Sequence, residues 1–157
     1  MLTPTQQTTL ATALRASVVP EVVAALAVRN DVALAAWCNT ITTTDAWNAN
    51  MDANALFDAG DLTKFDNLSA SKREAWRLML DFAPYDFGKP SPRKAIQDIW
   101  GDIESVAVLQ ACTRKATNAE VILGGSSETR NTVTALDLEY DGLLYVDDVS
   151  IALNLNP

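Results

Sequence analysis

Ile103-Glu104-Ser105-Val106-Ala107-Val108-Leu109-Gln110-Ala111-Cys112-Thr113-Arg114-Lys115-Ala116-Thr117-Asn118-Ala119-Glu120-Val121-Ile122-Leu123, followed by Gly124-Gly125, is the stretch on which the fold class turns. Val106, Leu109, Cys112, Ala116, Ala119 and Leu123 recur at helical spacing, while Arg114 and Lys115 fall on the opposite side. The pattern predicts one long helix over 103–123, stopped by the glycine pair. A single helix of that length makes the rest of the chain its packing partner and predicts a mainly α protein.

The remaining punctuation agrees with helices. Thr3-Pro4 is an N-cap followed by a proline at the first helical position, and Pro20 restarts the pattern through Val22, Val23, Leu26 and Ala27. Asn30-Asp31 caps a short segment over 32–38. The stretch 40–61 is less regular. Thr42-Thr43-Thr44 reads as a loop or cap, Asp45-Ala46-Trp47 and Asp52 to Phe57 as short helical turns, and Gly60 as a stop. Trp37 and Trp47 suit core packing, since an indole buries much area and needs one partner for its N–H. Ser71-Lys72-Arg73-Glu74 has the form of a capping box, opening a helix through Trp76, Met79 and Phe82. Ser91-Pro92 opens another, ended by Gly101.

The C-terminal fifth differs in composition. Gly124 to Asn131 is a polar loop, Tyr140-Asp141-Gly142-Leu143 a hairpin turn, and 145–153 a short helix capped by Asp147 or Asp148. The expected architecture is therefore a compact multi-helix bundle with a small C-terminal hairpin or extended segment. Residues 1–124 form the helical core and 125–157 the polar loop, hairpin and terminal helix of the same single domain.

Composition narrows the chemistry. The 157 residues contain no histidine, which removes Ser-His-Asp and Cys-His catalysis, although carboxylates or lysines remain for proton transfer. A net charge of −8 argues against tight binding to nucleic-acid phosphates. Cys38 and Cys112 stand apart in apolar helical patterns and read as two buried thiols. The first residues lack the basic region and apolar run of a signal peptide, and no apolar run reaches the roughly 18 residues of a membrane span. Nothing calls for a cofactor, and no enzyme activity is expected.

Three motifs compete with that reading. Asp137, Glu139, Asp141, Gly142 and Asp148 follow the outline of an EF-hand calcium loop. Glu is long for the third position, Asp short for the twelfth, and alternating Leu136, Leu138 and Tyr140 suits a strand, so an Asp-Gly turn is the plainer reading and no metal ligand is assigned. Ser126-Ser127 lies beside glycines without forming a nucleophile elbow. Arg73, Arg77, Arg93 and Lys94 read as a solvated basic face.

Taken in order, Ala36-Trp37-Cys38-Asn39, Ala46-Trp47, the run from Phe65 to Trp76, Lys89-Pro90-Ser91, the run from Arg114 to Glu120, Leu138 to Gly142 and Asp147 to Ser150 resemble a family of small virion-associated proteins of tailed bacteriophages. At Asn48-Ala49-Asn50 the chain departs from the aromatic residues usual there. The resemblance implies a virion structural protein assembled in the host cytoplasm. Its expected role is a head–tail adaptor, a homo-oligomeric ring subunit contacting portal, tail or nozzle proteins. The alternatives are a tail or tail-fibre accessory protein and, in another class, a small calcium-binding module at 137–148. For a ring subunit the expected contacts are Leu143, Leu144, Tyr145 and Leu155, on the uneven C-terminal segment, together with the polar loop from Gly124.

Overall fold

In a computed structural model the described residues run from 1 to 155, the last of them by its backbone alone. The chain is mixed α/β, not the mainly α bundle expected from periodicity. In order the elements are α1 (Pro4–Ala16), α2 (Pro20–Ala27), α3 (Asp31–Cys38), β1 (Ile41–Trp47), α4 (Ala53–Ala59), α5 (Leu62–Phe65), α6 (Ala70–Asp81), α7 (Pro90–Ala111), β2 (Thr113–Thr117), α8 (Asn118–Leu123), β3 (Gly125–Arg130), β4 (Val133–Leu138) and α9 (Val146–Leu155).

The correction lies within the stretch that decides the class. Residues 103–123 are the end of α7, all of β2 and all of α8. Thr117 is an N-cap: its hydroxyl accepts from the Glu120 N–H, and the Glu120 carboxylate accepts from the Thr117 N–H. This reciprocal box forces extended backbone at Thr117, φ −82° and ψ 165°, in the middle of what reads as one helix. Upstream, α7 is itself interrupted at Gly101, whose φ of 80° and ψ of 172° are open to glycine almost alone. The Gly101 stop is thus present, and Gly124 ends α8 with φ 85°.

The sheet order is β2-β1-β4-β3. The triple threonine lies in a strand rather than a loop because β-branched side chains fit a pleated surface. Ala46 of β1 pairs in parallel with Leu136 of β4. The polar stretch expected to be a loop is β3. It returns into β4 through Asn131 and Thr132, both at positive φ (44° and 72°), as a two-residue hairpin connection requires. The hairpin turn therefore falls at 131–132 and not at 140–143. Two caps stand as expected: Thr3 boxes with Gln6, and Asn30 accepts from Ala33; Asp52, read only as part of a short helical turn, caps α4 by accepting from Ala55. The cap of α6 moves two residues upstream, from Ser71 to Ser69, whose hydroxyl accepts from the Lys72 N–H, and α7 begins at Pro90.

The chain forms two compact units, each drawn from separated segments. The first comprises residues 1–43, 115–125 and 139–157; the second, residues 44–114 and 126–138. The polar stretch after 124 is shared between them. In the first unit the core joins Leu10, Leu14, Val22, Leu34 and Cys38 to Leu144, Val149 and Leu153. In the second, Trp47, Trp76, Phe87 and Trp100 are the largest members, packed with Leu56, Ile96 and Leu109. Trp76 and Trp100 meet edge to face, with centroids 5.2 Å apart. Among the described residues no single helix is long and apolar enough to cross a membrane.

Candidate functional site

In the first unit the loop that leads into α9 holds two large apolar side chains outward. Leu143 is 61% exposed and Tyr145 is 71% exposed, while Leu144 between them is buried in the core. Leu144 is therefore an anchor and not part of the surface, because alternate residues of an extended segment point to opposite sides. The anchor is doubly bonded. The Asn39 amide donates to the Leu144 carbonyl (2.8 Å) and accepts from the Leu144 N–H (2.9 Å). Asn39 is placed for this as the cap that closes α3.

Three further hydrogen bonds fix the flanks. The Tyr140 hydroxyl donates to the Leu143 carbonyl (2.8 Å). The Tyr145 N–H donates to the Asp148 carboxylate (3.1 Å), which completes the start of α9. The Gly142 N–H donates to Glu120 (3.3 Å), a carboxylate buried inside the unit. Burial of the Tyr140 ring, followed by the nearby Asp148 and Glu120 charges, raises the phenol above its ordinary range and keeps it a donor. Leu143 and Tyr145 thus form a knob whose backbone is ordered before any partner arrives. The expected contact Leu155 has a side chain outside the described residues.

The carboxylates of the calcium outline are not brought together. Asp148 caps α9, and Asp137 lies in β4 of the second unit. Burial raises the Asp137 pKa, partly offset by Arg93. Among the described residues no group of three or more His, Cys, Asp or Glu is placed to hold a metal ion. Ser126 and Ser127 lie exposed on β3. Cys38 and Cys112 are free and buried, and burial pushes both thiols up to about 12.

The basic residues do not share one face. Arg93 is buried in the second unit; its guanidinium lies 4.9 Å from the Trp47 ring centroid and donates to Glu128 at 3.0 Å. Lys94 pairs with Asp98. Arg73 and Arg77 lie on α6, where with Phe57, Leu62, Phe65, Trp76 and Leu80 they line a groove of about 390 Å³. Trp76 is buried there, whereas Phe57 and Leu62 are about half exposed.

Comparison with protein families, with curated proteins and with solved structures finds no match. Sequence reading missed Asn39 and Glu120 as the residues that build the knob. Glu120 had a readable signal, the Thr117-x-x-Glu120 spacing of a capping box, masked by the continuous helical stripe around it.

Proposed function

We propose that the chain is a structural subunit of a tailed-phage particle, a head–tail adaptor that assembles as a ring between portal and tail. The observation that carries this reading is the knob. Two large apolar side chains are held in water by hydrogen bonds to Asn39, Tyr140 and Asp148, an arrangement that lowers the ordering cost of association. The ordered series of segments from Trp37 to Ser150 that resembles small virion proteins supports the same reading. The acidic surface suits a subunit that stays dispersed until it meets its neighbours.

The test is direct. Particles purified from a lysate of cells carrying this gene are analysed by mass spectrometry, and the labelled subunit is located by low-resolution imaging. A ring at the head–tail junction is expected, and replacing Leu143 and Tyr145 by Asp is expected to deplete the subunit from particles. Label along the tail or its fibres would replace the adaptor assignment by a tail accessory role. Absence of the chain from particles would refute the proposal outright.

A further inference from the structure

We infer that Asp86 and Asp137, which meet beside Gly88, form a proton-operated clasp: when both are charged they push β4 and the loop before α7 apart, and when Asp137 is protonated they join the two. The device lies wholly in the second unit and does not depend on ring assembly.

Gly88 shows how near the two carboxyls come. A Cβ on this residue would lie 2.8 Å from Asp137 Oδ1 and 2.9 Å from Asp86 Oδ1, so the two oxygens are separated by no more than the sum of those distances. Like charges at that range oppose each other's ionisation. Asp86 is fixed by a local turn, in which its Oδ1 accepts from the Gly88 N–H at 2.9 Å. Asp137 stands on β4, and among the described residues no hydrogen bond reaches its carboxylate.

The cations nearby are committed elsewhere. Lys89 lies 3.5 Å from Asp86 Oδ2 but is 73% exposed, so water screens it. Arg93, from α7, is 2% exposed. Its Nη2 donates to Glu128 of β3 at 3.0 Å, and its Nη1 is buried without a hydrogen-bond partner. The guanidinium therefore attracts Asp137 through space without binding it. The strand paired with β4, β1, brings Asp45, whose carboxylate accepts from Gln110 at 3.4 Å. Asp137 is thus a poor place for a negative charge. Burial weighs most, Arg93 opposes it, and Glu128 and Asp86 add to it, so the carboxyl holds its proton above the ordinary value near 3.8.

A proton is the cation that fits. Among the described residues no three side chains are placed to hold a metal ion. Protonation removes the charge on Asp137 and gives it an O–H, and a bond from that O–H to the charged Asp86 would be of the strong, charge-assisted kind. By linkage, a carboxyl that binds its proton more tightly in the folded chain adds stability that is complete below its unfolded value and is lost as pH rises through the higher folded one. At neutral pH the charged Asp137 therefore costs the second unit stability.

Full-length Asp137→Asn keeps the shape of the side chain and lacks the charge. Glu139→Gln, at an exposed position, is its control for the change in net charge. In thermal unfolding, Asp137→Asn is expected to melt above the control by about 2–4 °C at neutral pH, with the difference closing as the solution is acidified. In wild type, NMR of the Asp137 carboxyl carbon is expected to show titration above the ordinary range, and in Asp86→Asn the midpoint should fall. An Asp137→Asn chain that melts below the control at neutral pH would make Asp137 a working partner of Arg93 and overturn the inference. A wild-type midpoint at or below the ordinary value, or one that Asp86→Asn leaves unmoved, overturns it as well.

Discussion

Replacing Asn39 by Ala removes both bonds that pin Leu144, and it separates anchoring of the knob from its apolar surface. Each bond is of ordinary length, 2.8 and 2.9 Å, and each serves a backbone group of a residue that is 2% exposed. A hydrogen bond contributes about 0.5–1.5 kcal/mol net, and a buried backbone group left without a partner costs about 1–3 kcal/mol. Asn39 itself is only partly buried, so water replaces some of what is lost. The expected cost is about 2–3 kcal/mol. For a domain of this size each kcal/mol moves Tm by about 2–4 °C, so a fall of roughly 5–10 °C is expected in thermal unfolding followed by circular dichroism. Asn39→Asp provides an internal control. It keeps an acceptor for the Leu144 N–H but sets a carboxylate against the Leu144 carbonyl, so it should be no better than Ala. Self-association should weaken in Asn39→Ala although Leu143 and Tyr145 are untouched, because the knob must then be ordered during binding. A Tm within about 1 °C of wild type, with unchanged association, would show that Leu144 is held by packing alone and that the knob is not preorganised by Asn39.

Gly101→Ala should cost about 1–3 kcal/mol in urea unfolding through backbone strain alone, since φ is 80° and an added Cβ meets nothing within 4 Å. Gly60→Ala should cost a similar amount for the opposite reason: its φ is ordinary, but the new Cβ would lie 3.0 Å from Trp76 and 3.3 Å from Trp100. Glu128→Gln should destabilise by about 1–3 kcal/mol, less than for a fully buried pair because Glu128 is 43% exposed and Asp137 still attracts the guanidinium, and adding Arg93→Met should recover part of the loss by removing a buried cation that has lost its hydrogen-bonded carboxylate. A double variant less stable than the single would contradict that account of the pair. With Cys38 and Cys112 raised to about 12, the folded chain keeps protons that the unfolded chain releases above about pH 9. The thiols' contribution to stability is therefore complete below pH 9 and is lost between 9 and about 12. At pH 8 their thiolate fraction is about 1 in 10⁴, so labelling by a disulfide reagent should proceed only through unfolding; rapid labelling of the native chain would refute their burial.

Where a cap is written in neighbouring residues, the sequence reading locates it: Thr3-Pro4, Asn30 and the Gly124 stop all stand where short-range chemistry puts them. The misreading of 103–123 has one cause. Ala116, Ala119 and Leu123 continue the apolar stripe of Val106, Leu109 and Cys112 at helical spacing, yet a side chain against a core says only that its position faces one. Ala116 is fully buried in a strand, and Leu109 and Ala119 belong to the cores of different units. A chain that leaves one core and enters another keeps its apolar count while losing its period, and small residues such as alanine permit the change without a visible breaker. The two residues that could have announced it are Thr117 and Glu120, whose reciprocal bonds end any helix running into them. The same pair then gives the surface its shape, because the second oxygen of Glu120 accepts from Gly142 and so steadies the turn that presents Leu143. Periodicity proposes one helix there and therefore leaves Glu120 without a task. Once the capping box is granted, the strand, the break between cores and the support beneath the knob follow from one carboxylate.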